Sequence, residues 1–274
     1  MWGYINPYII QIGNFAIRWY SVLILVGAVL GIILLEKEGK RFKINKDFLF
    51  NMAFWTIIIG ILGARIYYVI FNFHLYRDDF LSIFKIWEGG LAIHGGIIAG
   101  VATISIYCSK YKVKLIRILD LCVPSLILAQ AIGRWGNFFN GEAHGMATTL
   151  EHLQKLHIPN FIIKGMNISG IYYEPTFLYE SLACLLGFII IIIIRRFKYI
   201  KVGMVTAFYL MYYSVCRFFI ESLRTDSLMI GGFKIAQIIS IILFLIGIVI
   251  LIVESRKGKF EDLYDDIYDK EIRY

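Results

Sequence analysis

Charge is what this chain has little of: only 18% of its 274 residues are Asp, Glu, Lys or Arg, against 59% hydrophobic. With a mean hydropathy of +0.70, that composition excludes an ordinary soluble domain and makes the bilayer the expected solvent. Cysteine is scarce as well. Cys108, Cys122, Cys184 and Cys216 stand far apart inside apolar segments, without the paired spacing of a disulfide scaffold or a metal site, so they read as small buried hydrophobes. The sequence shows no internal repeat, no low-complexity tract, no metal-ligand cluster and no nucleotide-binding loop. Residues 1–15 lack the basic region of a cleavable leader, so the first apolar run is expected to remain as a full span.

What is present is a series of apolar runs long enough to cross a hydrocarbon core of about 30 Å. They lie at 17–35, 48–71, 90–108, 118–139, 176–194, 202–219 and 235–253. The expected fold is therefore an all-α integral membrane protein of about seven transmembrane helices, a single polytopic domain over 1–274. The third run is the weakest, because His94 and several glycines lower its apolarity. The net charge of +8 does not suggest nucleic acid, since the basic residues fall in short clusters between the runs rather than on one face. Eighteen Lys and Arg follow the first, third, fifth and seventh runs, and six lie on the opposite side. Cytoplasmic loops carry the excess, which places the N-terminus outside and the C-terminus, with a charged tail at 254–274, in the cytoplasm. Two longer outside segments result. Residues 72–89 mix Tyr76, Phe80, Phe84 and Trp87 with charges, as an interfacial helix does, and 140–175 form a small extracytoplasmic head.

Four arginines fall within the spans: Arg18, Arg65, Arg134 and Arg217. An arginine at the hydrocarbon centre costs at least about 2.5 to 3.5 kcal/mol, so such residues are functional candidates. All of them, with His94, lie in the outer half, where an anionic lipid headgroup sits. Snorkelling to the outer headgroups suffices for Arg18 and is one of two readings for Arg65, the other being a functional role. Tyr213, Arg217 and Glu221 are spaced by four and share one helical face, with Arg224 seven residues beyond Arg217. Either that face binds a ligand, or Arg217 and Glu221 simply neutralise each other.

The segment Gly133-Arg134-Trp135-Gly136-Asn137-Phe138-Phe139-Asn140-Gly141-Glu142-Ala143-His144-Gly145 has five glycines among thirteen residues. It makes a poor continuous helix, so a broken backbone is expected where the fourth span meets the outer interface. Arg134, Asn137, Asn140 and Glu142 then present donors and an acceptor to a protein-lined or wet cavity. His94-Gly95-Gly96 is similar in character, and Gly96 with Gly100 forms a small-xxx-small pair that serves close helix packing whether or not His94 is functional.

Those thirteen residues match throughout a signature of the prolipoprotein diacylglyceryl transferases, Gly-Arg-x-Gly-Asn-Phe-x-Asn-x-Glu-x-x-Gly. Further blocks resemble the family in the same order: Arg18-Trp19-Tyr20, Gly63-Ala64-Arg65, Trp87-Glu88-Gly89-Gly90, His94-Gly95-Gly96-Ile97, Asp120 with Pro124, Pro175 through Glu180, and Arg217 through Glu221 to Arg224. The resemblance implies an enzyme of the bacterial cell membrane, its active site toward the outer leaflet. Its substrates would be phosphatidylglycerol and prolipoprotein signal peptides bearing a lipobox cysteine. It implies Arg134 and Arg217 as phosphate-binding residues, His94 and Tyr20 as essential ones, and Asn137, Asn140, Glu142, Tyr213 and Glu221 in support; Arg65 joins the expected substrate-binding set. Two positions depart from the family's usual residues: Ile97 replaces Leu, and Glu174 replaces a His common before Pro175.

The implied reaction displaces a phosphate ester by a thiolate, and a free cysteine near neutral pH is only a few per cent thiolate. His94 is the expected base. Arg134 and Arg217 would stabilise the departing phosphate through paired donors. No cofactor, metal or nucleic acid is called for. The alternative is a lipid-binding or lipid-transporting membrane protein, although a transporter normally places its site at the midplane.

Overall fold

Backbone groups that cannot reach water must be satisfied within the chain, which favours helices through every apolar run. The computed structural model describes residues 5–12, 15–77, 79–86 and 89–256. Trp87, Glu88 and the tail beyond residue 256 lie outside the described residues. In chain order the elements are β1 (Tyr8–Ile12), β2 (Phe15–Arg18), α1 (Trp19–Arg41), α2 (Lys46–Phe71), α3 (Ile93–Lys110), α4 (Leu115–Asn140), β3 (Ala147–Thr148), α5 (Leu150–Lys155), α6 (Asn160–Gly165), β4 (Asn167–Ile168), β5 (Ile171–Tyr173), α7 (Thr176–Ile194), α8 (Met204–Leu223), β6 (Met229–Ile230), β7 (Phe233–Lys234) and α9 (Ile235–Ser255). A long helix thus occupies each expected run. Five of them, α1, α2, α4, α7 and α9, are long and apolar enough to cross a membrane. The other two, α3 and α8, carry His94 and the Arg217–Glu221 pair, which reduce their apolarity.

The described residues divide into two compact units, the first within 36–118 and the second formed by those up to Leu35 together with those from Leu119 to Arg256. In the first, α2 and α3 pack at glycine contacts. A Cβ on Gly63 would stand 2.9 Å from the Gly95 carbonyl oxygen, and one on Gly95 would stand 2.4 Å from that of Gly63. Gly63 and Gly95 therefore form the tightest crossing, while Gly96 meets Gly60 less closely, at 3.4 Å. Small residues let the two backbones approach where no side chain fits between them.

The segment expected to be an interfacial helix contains instead two 3-10 turns, Phe73–Tyr76 and Phe80–Phe84. Arg65 explains much of its form. Its Nε donates to the Ile83 carbonyl at 2.8 Å, Nη2 to Ser82 at 2.7 Å, and Nη1 to Gly89 at 2.7 Å and Gly90 at 3.0 Å. The guanidinium also lies over the Tyr76 ring. The Ser82 carbonyl also accepts the Lys85 N–H at 3.1 Å, so the segment folds around the Arg65 side chain, with the arginine at the end of its second 3-10 turn.

In the second unit, Ser125 Oγ donates to the Gly31 carbonyl at 2.7 Å, stitching α1 to α4. Asp120, fully buried, accepts the backbone N–H groups of Gly203 and Thr206, so a carboxylate from α4 caps the start of α8. Tyr212 on α8 donates to the Ala183 carbonyl of α7, its ring seated against Gly187. Residues 140–175 form a head of α5, α6 and a small antiparallel sheet ordered β3-β5-β4. Its core packs Leu153, Ile162, Ile163 and Met166 against Phe138 and Phe177 at the ends of α4 and α7.

The glycine-rich segment departs from expectation. The helix α4 runs unbroken through Gly133 and Gly136 to Asn140, and the chain turns only at Gly141, with φ 66°. Within an apolar surround the helical hydrogen bonds have no water to replace them, which outweighs the roughly 1 kcal/mol glycine cost. Gly136 has a separate purpose: a Cβ there would stand 2.3 Å from the Tyr20 ring.

Candidate functional site

Three helices of the second unit bring their polar residues to one place. On α4, Trp135 donates from Nε1 to Ser181 Oγ at 3.2 Å, and Ser181 Oγ donates to the Ala131 carbonyl at 2.8 Å. This tie fixes α4 against α7 one residue from Arg134 and one from Glu180. Glu180 is the centre of the arrangement. Its Oε1 lies 2.6 Å from Arg134 Nη2, and its Oε2 accepts Arg217 Nη1 at 2.8 Å. The Tyr213 hydroxyl donates to Oε1 at 3.2 Å, and Arg217 Nη2 reaches Glu221 Oε2 at 2.7 Å.

Two cations and two anions thus balance, as a low-dielectric site requires. The partners are not equally accessible. The Glu180 and Glu221 side chains are 3% and 4% exposed, whereas Arg134 and Arg217 are 20% and 16% exposed. The acids are thus the more deeply buried members of the cluster and the arginines the more accessible ones. Arg217 pairs with Glu221, as mutual neutralisation expects, and it also shares Glu180 with Arg134.

A second cluster forms where α4 ends. Asn137 Nδ2 and Asn140 Nδ2 donate to the same oxygen, Glu142 Oε1, at 3.1 and 3.2 Å. The Glu142 backbone N–H returns to the Asn137 carbonyl, closing the turn. Asn140 Oδ1 is buried and has no hydrogen-bond partner among the described residues. The Tyr20 ring packs on Gly136, between Arg134 and Asn137 in the sequence of α4. Its neighbour Trp19 stacks on Phe139, with centroids 4.8 Å apart, anchoring the start of α1 on the last turns of α4.

The signature loop is pinned beyond this point. Thr176 Oγ1 donates to the Ala143 carbonyl at 2.6 Å, and the Gly145 N–H donates to the Glu174 carbonyl at 2.8 Å. A Cβ on Gly145 would stand 2.7 Å from that of Glu174, which accounts for the glycine. The Glu174 carboxylate accepts the Tyr179 hydroxyl at 2.6 Å and pairs with His152 Nε2 at 3.1 Å, tying the head to the first turn of α7. Gly145 also bridges to Arg224, whose side chain chelates Asp226 through Nε and Nη2, each at 3.0 Å. Asp226 feels burial, which raises its pKa, but the Arg224 fork outweighs that and holds the carboxyl below its ordinary value.

The structure therefore gathers Arg134, Arg217, Tyr213 and Glu221 around Glu180, and Asn137, Asn140 and Glu142 beside Tyr20. His94 and Arg65 belong to the other unit. His94 is the second residue of α3, half-buried, with the Tyr67 ring 6.3 Å away. Arg65 differs from the other candidates, because its guanidinium is committed to backbone carbonyls. Sequence reasoning passed over Glu180, although a lone acid in the apolar run 176–194 carries the same signal as a lone arginine.

A family model described as prolipoprotein diacylglyceryl transferase matches residues 7–253 of the chain. The chain is also similar to proteins named phosphatidylglycerol--prolipoprotein diacylglyceryl transferase from several organisms. It is 46% identical to that of Staphylococcus saprophyticus over 256 residues, 93% of this chain and 91% of that one. The Listeria monocytogenes serotype 4b protein is 44% identical over 269 residues, 98% and 97% of the two chains. The Ligilactobacillus salivarius protein is 46% identical over 247 residues, 90% and 92% of the two.

Proposed function

The chain belongs to the prolipoprotein diacylglyceryl transferase family, and we propose that the arginines joined by Glu180 are where it grips the phosphate of its lipid substrate. It is a transferase that moves the diacylglyceryl group of phosphatidylglycerol onto the lipobox cysteine thiol of a prolipoprotein. A carbon–sulfur bond forms at the glyceryl carbon, the carbon–oxygen bond to phosphate breaks, and glycerol phosphate leaves with the bonding electrons. The thiol proton goes to a base.

The phosphate changes from diester to monoester and gains charge as it leaves. Donors already oriented toward it stabilise that change more than the ground state, which is the condition for faster chemistry. One observation carries the reading: Glu180 takes an arginine on each carboxylate oxygen and fixes both forks before substrate arrives. Glu221 steadies Arg217 from its second side. Asn137, Asn140 and Glu142 supply donors and acceptors for the glycerol hydroxyls of the headgroup, with Tyr20 packed against Gly136 on the same helix.

His94 is assigned as the base that takes the thiol proton, on the family resemblance and on the suitability of an imidazole near neutral pH. The charge distribution supports seven spans with the N-terminus outside and an arginine cluster toward the outer leaflet, and the family resemblance supports the bacterial cell membrane. The direct test incubates purified protein with phosphatidylglycerol and a lipobox peptide and looks by mass spectrometry for the thioether adduct. Lipid binding without adduct would leave a lipid-binding protein instead. His94→Asn is expected to bind lipid and fail to turn over, and an active variant would remove His94 from the role of base.

A further inference from the structure

The segment joining α8 to α9 is a hairpin whose two-residue turn, Gly231 and Gly232, has φ of 55° and 86°, a conformation that glycine permits at both positions. Leu228, Met229, Ile230 and Phe233 are each more than half exposed. Successive strand residues point to opposite faces, so Met229 and Ile230 make both faces of β6 apolar. A hairpin with one side in water alternates apolar and polar residues, and this one does not. The apolar surface also continues in sequence. Directly after β7 the chain enters α9, where Ile238, Ile241, Ile242 and Leu245 are exposed on a helix able to cross the membrane.

The nearest cation is withdrawn from the tip. Lys234 folds its Nζ back onto the end of α8, donating to the carbonyls of Glu221 at 2.7 Å, Ser222 at 3.2 Å and Arg224 at 2.7 Å. An ammonium at a helix C-terminus satisfies carbonyls that the helix leaves open and complements its dipole. The consequence is an uncharged apolar tip with its base fastened to the helix that bears Arg217.

We propose that this hairpin docks into the lipid surface where α9 enters the bilayer, its tip at the boundary between headgroups and acyl chains. Through Lys234 it then sets the height of the end of α8, and with it Arg217 and Glu221, relative to the phosphates of the surrounding lipid. The docking stands on the exposed apolar faces and their continuity with α9. The coupling to Arg217 rests on the phosphate-binding reading above.

The test places a nitroxide at position 230 through Ile230→Cys, in the full chain reconstituted into vesicles of phosphatidylglycerol and phosphatidylethanolamine. A second label enters through Met229→Cys, and labelled wild type supplies the background from the native cysteines. Collisional access to oxygen, which partitions into hydrocarbon, is compared with access to a water-soluble nickel chelate, using Lys155→Cys on the head as the exposed reference. Both hairpin labels are expected to favour oxygen over nickel. Nickel access equal to that at position 155 overturns the docking, and exclusion of both reagents overturns it too, because the tip is then covered by protein. A separate arm addresses the coupling. Lys234→Met is expected to lower kcat/KM and Lys234→Arg to restore it. Unchanged kcat/KM in Lys234→Met overturns the coupling without touching the docking result.

Discussion

Arg134 and Arg217, on helices far apart in sequence, share the carboxylate of Glu180, one on each oxygen at 2.6 and 2.8 Å. An acid beside two arginines proposed to bind phosphate looks self-defeating, since it competes with the substrate. It does two things in return. It supplies the anion that, with Glu221, balances the two cations, and it fixes the planes of both guanidiniums, so less conformational entropy is lost when phosphate arrives.

Glu180→Gln is therefore expected to be severe although it keeps the shape. Two arginines lose their shared counter-charge, and removing one partner of a buried ion pair typically costs about 3 to 5 kcal/mol. Thermal unfolding in detergent should show a large loss of stability, and turnover should fall with it. A variant as stable and as active as the parent would mean that Glu180 does not organise the cluster.

Arg134→Lys keeps the charge and loses the fork. Loss of one oriented donor to developing charge typically costs roughly a hundred- to a thousandfold in kcat, and thioether formation should drop by that order. Lipid binding should weaken less than turnover. Full activity in Arg134→Lys would remove the paired-donor reading.

Gly136→Ala tests packing rather than chemistry. Alanine is the better helix former by about 1 kcal/mol, so an exposed helix would gain. Here the new Cβ would stand 2.3 Å from the Tyr20 ring, and that ring is held by α1, so overpacking of about 1 to 3 kcal/mol decides the sign. The variant should melt lower than wild type and lose activity through displacement of Tyr20. A higher melting temperature would show that Tyr20 moves freely.

Asp226, outside the helices, is held below the ordinary carboxylate value of 3.8 by the Arg224 fork despite the opposing effect of burial. A lowered folded pKa stabilises the protein at pH above 3.8, and the contribution fades as pH falls through the folded value. The Asp226 side chain is 43% exposed, so the effect is modest. Melting curves of wild type and Asp226→Asn should differ near neutral pH and converge in strong acid. A gap that persists undiminished in acid would refute the ion-pair account of that clip.

Membrane class, the number of long helices and their places were legible in the sequence because hydropathy over a window of about 20 residues is a local property. Membership in the family was legible as well, from the unbroken match over residues 133–145 and the ordered blocks around it. The face shared by Tyr213, Arg217 and Glu221 followed from helical spacing alone. Pairing between helices did not follow, because which side chains meet depends on packing among segments distant in the chain. Only the tertiary structure made Glu180 the common partner of Arg134 and Arg217 and carried α4 intact past Gly136 to receive the Tyr20 ring. It also turned Arg65 onto the carbonyls of its own unit, where an arginine short of water finds acceptors. The arginines marked the site by their cost in an apolar run, and the neighbours that offset that cost came from other helices.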